Sequence, residues 1–517
     1  MDEPSHEMNS VATQYAQKMK AKVLDIESRT LISILHAQDC RELGVLPMER
    51  VELTSPKTKK SIVTVVDTTT SMVEPNEIGI FKDVQKELGV KDGDALMVSP
   101  SLQPQSVKFI KKKLRGLELA PEEITAIVND IAKNRLSEIE ASAFMTAVYI
   151  HGNTLPEIVA MTKALAMGGD HVDIQKKPVV DKHSIGGING RVTMILVPII
   201  AAAGAFIPKT ASRSITSAAG TADAMEVLCD VELSVAQIKS ITEKIGGVIA
   251  WGGGVSLAPG DDKIIQIEHP MALDPEGQVI ASVMAKKFAV GAKFLVIDIP
   301  VGPDMKVDSR ERAEALARRF VEVGKKLGMR MEVVLTDGTE PVGRAFGPAL
   351  EAKVALETLE GKRFDNLGEK ACELAGILLE LCGKAPKKKG LVMAKNILKS
   401  GKAYQKMQEI LHAQNARIFK SEQIKSAKLK ETVLSDSDGE IASINVRRLV
   451  EIARLAGAPG DAQAGVMLLI DKGNSVTRGR PLMEIHSNNP QKMMLAKKLA
   501  QDASGIELHK VVLEKIE

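Results

Sequence analysis

The sequence predicts a multidomain α/β protein. In order, it comprises a small N-terminal β-barrel, a helical bundle, an α/β domain with a mostly parallel sheet, and a C-terminal barrel-sandwich-like α+β domain. Three observations lead there. Apolar runs at 294–299 and 331–335 flank an amphipathic stretch at 310–327, and strand, helix, strand in that order implies a parallel sheet buried on both faces. Ser137-x-x-Glu140 and Thr154-x-x-Glu157 are capping boxes that start successive helices. A weak repeat, Glu42-Leu43-Gly44-Val45 and Glu87-Leu88-Gly89-Val90, twice stops a helix with glycine and passes through a charged turn into a strand.

Residues 1–21 begin polar and acidic, and are expected to be a flexible extension rather than a signal peptide. Residues 22–103 read as short strands, among them 61–66 and 95–98. The repeat makes them a pseudo-symmetric barrel of the double-psi type. No catalytic constellation falls there, so assembly or lidding of a substrate is its expected role. Residues 104–178 form the helical domain: Pro121-Glu122-Glu123 opens one helix with proline and acids. Ile139, Phe144, Ala147 and Val148 recur near the helical period. The α/β domain, 179–430, is expected to bind phosphate and substrate. The tail, 431–517, has short strands and glycine turns, with Lys492-Met493-Met494 in a helical pattern that argues against a carrier-lysine hairpin.

Composition narrows the function. Aromatics are 3% of residues and 69 cations face 66 anions, so base-stacking platforms and a basic field are both missing; nucleic acid is not an expected partner. The lysine runs 111–113 and 387–389 read as solvated surface. Cys40, Cys229, Cys372 and Cys382 lack metal-type spacing and read as free thiols in a reducing compartment. The longest apolar run, 194–207, is too short for a bilayer and contains Pro198 and Gly204. A cytoplasmic protein without membrane contact is expected.

The chemistry concentrates between Asp181 and Thr221, where two clusters of Gly, Ser, Thr, Lys and Arg flank an apolar segment. Glycines let the backbone approach an oxyanion, hydroxyls add donors and a cation balances charge. Lys182, His183, Ser184, Gly186 and Gly187 supply these groups in one turn, and Ser212 and Thr221 add hydroxyls from the second cluster. The chain contains no G-x-x-x-x-G-K-[ST] and no G-x-G-x-x-G at Gly186–Gly190, which disfavours a triphosphatase and a dinucleotide site.

Lys182-His183-Ser184-Ile185-Gly186-Gly187 resembles the K-H-S-x-G-G turn of the thymidine/pyrimidine-nucleoside phosphorylases and their relatives, the AMP phosphorylases. The likeness runs from about residue 105 to the C-terminus, and an N-terminal segment of the AMP phosphorylase type extends it back to about residue 22. The resemblance implies a phosphate site at the turn and a proton donor at Asp274, in Met271-Ala272-Leu273-Asp274-Pro275. An ordinary aspartate ionises near pH ~3.9, so an acid there calls for a buried site. Ser282 and Lys286 lie four apart on one helical face, as in the S-x-x-x-K pair that touches the base in the wider family.

The second cluster separates nucleoside from nucleotide. The thymidine phosphorylases' G-H-T-G-G run is replaced by Thr216-Ser217-Ala218-Ala219-Gly220, so their base-side histidine is missing, and their pyrimidine-reading arginine falls near Ile267. By contrast Gly187, Ser212, Arg213, Ser214, Ile215, Thr216, Ser217, Thr221, Asp274, Ser282 and Lys306 match AMP phosphorylase positions. Ser212, Arg213, Thr216, Ser217 and Lys306 can donate to a 5′-phosphate, the arginine as a planar fork, and the sequence leaves open which cluster takes that group and which the attacking phosphate. Ala211 departs from the serine usual in both subfamilies. The expected reaction is phosphorolysis of AMP, with CMP and UMP as further substrates. It needs no metal or cofactor, inorganic phosphate being a co-substrate. The alternative is thymidine or pyrimidine-nucleoside phosphorolysis; a magnesium-dependent anthranilate phosphoribosyltransferase and a non-enzymatic anion sensor stand behind it. The family implies a homodimer or larger homo-oligomer through the helical domain.

Overall fold

A computed structural model of the chain describes residues 16–28, 31–101, 103–186, 191–271 and 273–509. Internal contacts divide it into two compact units, 1–168 with 259–279, and 169–258 with 280–517.

The first unit opens with strands β1 (Gln17–Leu24), β2 (Ile32–His36), β3 (Arg50–Thr54), β4 (Ser61–Thr69), β5 (Glu77–Phe81) and β6 (Ala95–Pro100), closed as a barrel in the order β1-β5-β2-β4-β3-β6. β1 runs parallel to β5 and β2 to β4; the remaining neighbours are antiparallel. The sequence repeat is visible as geometry. Helix Ala37–Leu43 follows β2 and helix Lys82–Leu88 follows β5, each stopped by a left-handed glycine, Gly44 at φ 68° and Gly89 at φ 67°. Leu35, Val51, Leu53, Val66, Ile78, Leu96 and Val98 fill the interior. Residues 17–21, expected in a loose extension, form the start of β1: lysines alternate there with inward Met19 and Ala21, so few apolar residues mark the strand.

Helices Ser106–Leu114, Pro121–Ala132, Glu138–His151 and Leu155–Met167 form the bundle. Both capping boxes close, with Ser137 N donating to Glu140 and Thr154 N to Glu157, each at 2.8 Å. Glu157 also takes Lys113 Nζ at 2.7 Å in the buried interior. Helix Pro259–Met271 belongs to this unit as well, although the sequence sets it within 179–430. Lys263 Nζ ties it to the carbonyl of Ala132 at 2.7 Å.

In the second unit the parallel strands are β7 (Val180–Ser184), β8 (Ile207–Ala211), β9 (Gly247–Trp251), β10 (Phe294–Val301) and β11 (Arg330–Asp337). Ladders β11-β10-β7 and β8-β9 are joined by a parallel bridge between Val179 and Phe206, so the strands follow one another as β11-β10-β7-β8-β9. From β7 the chain steps to one side and returns at β10 on the other, a topological switch point, where ligands of such sheets bind beyond the carboxyl ends. Helix Val192–Ala202 is apolar but for Thr193 and buried from Val192 to Ala201, while Arg310–Lys326 shows the amphipathic face the sequence implied.

Toward the C-terminus, β12 (Ala345–Phe346), β13 (Leu429–Leu434), β15 (Gly465–Leu468) and β17 (Pro481–Ser487) pair antiparallel in the order β12-β15-β17-β13. A second sheet is ordered β16-β14-β18, from β14 (Gly439–Ile444), β16 (Ser475–Val476) and β18 (Ile506–Leu508). Helices Val446–Ala456 and Pro490–Asp502 cover this α+β region, and Lys492, Met493 and Met494 lie in the latter, as their pattern indicated. Among the described residues no helix is long and apolar enough to cross a membrane.

Candidate active site

The switch point is charged where a doubly covered sheet should be apolar. Strand β7 reads VDKHS, and both Asp181 and Lys182 are buried. Buried charges persist only with partners, and the partners come from five other elements. Asp181 faces Lys287 of helix Glu276–Ala289 at 2.7 Å and Lys209 of β8 at 3.5 Å. Lys182 Nζ donates to Ser184 Oγ, which donates to Asp298 of β10 at 2.6 Å. The other Asp298 oxygen accepts from Thr336 of β11 at 2.5 Å, and Lys370 of helix Asn366–Leu381 lies 3.2 Å from Asp298.

Four buried lysines therefore face two buried aspartates. Such a surplus is relieved by shedding protons or by taking up an anion, and the ionisations show the strain. Burial above all brings Lys182 down to about 8, with Asp298 pulling the other way. Burial likewise brings Lys209 to about 7, against the pull of Asp181. Burial pushes the Asp181 carboxyl up, but Lys209 and Lys287 outweigh it and hold it below the usual range. Asp298 is held low in the same way by Lys182 and Lys370. His183, desolvated and surrounded by Lys287, Lys209, Lys182 and Lys286, sits far below its usual value and is neutral at pH 7. It can donate or accept one proton but cannot serve as a cation.

Past β7 the chain turns at Gly186, whose φ of 99° favours glycine. A Cβ built there would sit 3.9 Å from Cβ and Cγ of Lys306, so the loop after β10 lies against this turn. Turn and Lys306 loop are thus brought together. Gly187 lies outside the described residues.

The second cluster follows β8 and is folded by its own hydrogen bonds. Asp223 accepts from Ser214 N and Gly220 N, both at 2.8 Å, and Ser214 Oγ donates to the carbonyl of Ser217 at 2.5 Å. Gly220 presses so closely on the loop that a Cβ would meet the Ser212 carbonyl at 2.4 Å. Arg454 reaches the carbonyls of Ile215 and Ser217 at 3.3 and 3.0 Å. Thr221 is buried at the start of helix Thr221–Glu226, Thr216 is exposed, and Ile215 is 56% exposed. Arg213 turns away from the expected anion-donor role. Its guanidinium pairs with Glu226, with Glu232 at 3.2 Å and with Asp223 at 3.5 Å, and stacks over Trp251 at 4.6 Å. Three carboxylates engage the fork, making it a clamp on the loop.

Ser282 and Lys286 share one face of helix Glu276–Ala289, both half-buried, and Lys286 directly precedes the inward Lys287. Asp274 precedes that helix in the first unit and is exposed, so the burial expected of an acid there is not provided. Asp181, Lys209, Lys287, Asp298, Thr336 and Lys370 are members of the cluster that motif reading passed over. Asp298 carried a usable signal, a lone carboxylate inside an apolar strand, and Asp181 a weaker one, a carboxylate directly after two valines; Lys370, on an ordinary helix, carried none. Among the described residues no three His, Cys, Asp or Glu side chains are grouped to hold a metal ion.

Comparison with known proteins agrees with this architecture. The glycosyl transferase family helical bundle domain matches residues 107–167, the a/b domain of the same family 176–254, and the pyrimidine nucleoside phosphorylase C-terminal domain 440–507. An anthranilate phosphoribosyltransferase from Thermus thermophilus superposes with a TM-score of 0.52 at 20% identity, covering 59% of this chain and 99% of that one, which extends the likeness in fold. Fold and site thus define a pentosyltransferase of the glycosyl transferase type. Relatives along the whole length are more specific. The AMP phosphorylase of Pyrococcus furiosus is 45% identical over 96% of this chain and 99% of its own, and that of Methanosarcina barkeri 43% over 93% and 95%. AMP phosphorylase 1 of Archaeoglobus fulgidus is 44% identical over 96% and 98%. The chain belongs to the AMP phosphorylase family.

Proposed function

We propose that the protein catalyses AMP + phosphate → adenine + ribose 1,5-bisphosphate, with CMP and UMP as further substrates. The observation that carries this is the lysine surplus at the switch point, four buried lysines against two buried aspartates. A phosphate dianion supplies the two missing negative charges. Lys182, Ser184 and the Gly186–Gly187 turn hold it, with Lys209, Lys287 and Lys370 supporting through the aspartates. In the low dielectric of such a site, fixed charges act far more strongly on an anion than they do in water.

A phosphate oxygen attacks the anomeric carbon, the glycosidic bond breaks, and the departing base takes a proton from Asp274, which regains one from solvent. That exposed carboxyl must first be desolvated by the bound nucleotide to hold the proton. The 212–217 loop, Thr221 and Lys306 take the 5′-phosphate through backbone and hydroxyl donors, and Arg213 holds the loop's shape. Ser282 and Lys286 face the base, and neutral His183 orients the turn or the ribose. The C-terminal α+β region is taken as barrel-sandwich-like, and the protein as a cytoplasmic homo-oligomer. Thymidine phosphorolysis is not favoured, because the full-length relatives are AMP phosphorylases and the base-side histidine and arginine of the thymidine enzymes are missing here.

The test is base release from AMP and from thymidine, side by side, with and without inorganic phosphate. Phosphate-dependent adenine release with thymidine inert is expected. Thymine release with AMP inert overturns the assignment.

A further inference from the structure

A cavity of about 220 Å³ lies in the second unit between helix Pro348–Leu359 and the sheet containing β13, β15 and β17, and it shares no lining residue with the lysine cluster described above. Its walls carry Lys353, Arg363, Lys425 and Lys430 against two carboxylates, Glu357 and Glu484, with Asp365 3.6 Å from Arg363 Nε, so positive charge is in excess. Ser426 and Gln463 add neutral donors.

A buried side chain and one buried guanidinium nitrogen facing this space lack hydrogen-bond partners. His486, only 3% exposed, has no hydrogen bond at either ring nitrogen. Glu484 comes within 3.3 Å of Nε2, an ion-pair distance without hydrogen-bond geometry. Arg363 Nη1 is likewise buried and unpartnered. Buried polar atoms left unsatisfied are few in folded proteins, and each costs about 1–3 kcal/mol. The strand context sharpens the point: His486 sits mid-sheet, flanked by Lys430 on β13 and Gly465 on β15. Burial and then Lys430 lower its proton affinity, so it stands as a neutral imidazole in a basic pocket.

We propose that this cavity is a second anion site, taking a small phosphate-bearing ligand, either inorganic phosphate or a phosphate monoester of a few carbons. The excess of positive charge suits a phosphate anion, and an arginine fork, lysines, a hydroxyl and an imidazole suit its several acceptor oxygens. A volume worth roughly seven waters at ~30 Å³ each admits such a ligand. Bound there, the anion ties the helix that follows β12 to the central strands of the C-terminal sheet.

Equilibrium dialysis of the full chain with labelled inorganic phosphate tests this. Arg363→Gln combined with Lys430→Gln is expected to bind one phosphate fewer per chain than wild type while turning over AMP within about twofold. Lys353→Gln combined with Lys425→Gln, which leaves Arg363 and the central strands untouched, is expected to weaken the same site at least tenfold and decides the matter if the first variant misfolds. Displacement of that phosphate by ribose 5-phosphate assigns the site to an ester; failure to displace it assigns inorganic phosphate. Equal stoichiometry and affinity in wild type and both variants means the cavity holds water only, and overturns the proposal.

Discussion

Replacing Asp298 by Asn removes one charge from the centre of the cluster and leaves its shape. Asp298 accepts from Ser184 and Thr336, lies 3.2 Å from Lys370, and is what most opposes the burial that lowers Lys182. Lys182 is one hydroxyl away, and a unit charge at roughly 5 Å with an effective dielectric near 20 is worth about 3 kcal/mol to the ammonium form. Shared with Lys370 and partly relaxed, that loss moves the deprotonation of Lys182 down by about one to two pH units. The assay is kcat/KM for phosphate against pH, which reports ionisation in the free enzyme. Wild type should lose phosphate efficiency above about pH 8, where Lys182 discharges. In Asp298→Asn the same fall should come about one to two pH units earlier, giving roughly a 3- to 20-fold deficit at pH 7.5 that nearly closes at pH 5.5. Ionisation of phosphate itself is common to both proteins and cancels. A variant with reduced efficiency but an unmoved break would show that Asp298 acts only through shape, and one with normal efficiency would refute the charge argument.

Three further outcomes follow from the same geometry. Asp274→Asn should lower kcat with AMP by at least ~100-fold while leaving KM for phosphate within about threefold, as loss of a general acid does; near-normal turnover removes Asp274 from the chemistry. Gly220→Ala places a methyl 2.4 Å from the Ser212 carbonyl, so the 212–217 loop must shift; KM for AMP should rise ~10-fold or more with the phosphate site and thermal midpoint little changed. Burial raises Glu351 to about 7 from an ordinary 4.5, against the pull of Arg191, 3.2 Å away. The folded chain thus binds more protons than the unfolded one between those values, so this group's contribution to stability is full below pH 4.5 and lost as pH rises through 7. Urea unfolding at pH 5 and pH 7.5 should show that decline in wild type and a flatter profile in Glu351→Gln; equal slopes would mean the pair stays ionised throughout.

Much of the fold was legible because its signals are local. Capping boxes at Ser137 and Thr154, glycine stops at Gly44 and Gly89, and the apolar runs of β10 and β11 each depend on residues within one or two turns. Strand β1 escaped because alternating lysines mask a two-residue inward face. Helix Pro259–Met271 looks like any other helix, and only the faces it meets, including Ala132 through Lys263, assign it to the bundle.

By itself the sequence determined the order of elements, the two anion-type clusters and the family resemblance. Each is a pattern of neighbours along the chain, and short-range sterics and hydrogen bonding make such patterns predictive. Tertiary structure alone decided the charge balance. Whether Lys182 keeps its proton depends on Asp298 and Lys370; whether Arg213 is free for phosphate depends on Glu226 and Glu232. Charge compensation is a sum over whatever the fold brings within a few ångströms, and no spacing along the chain encodes that sum.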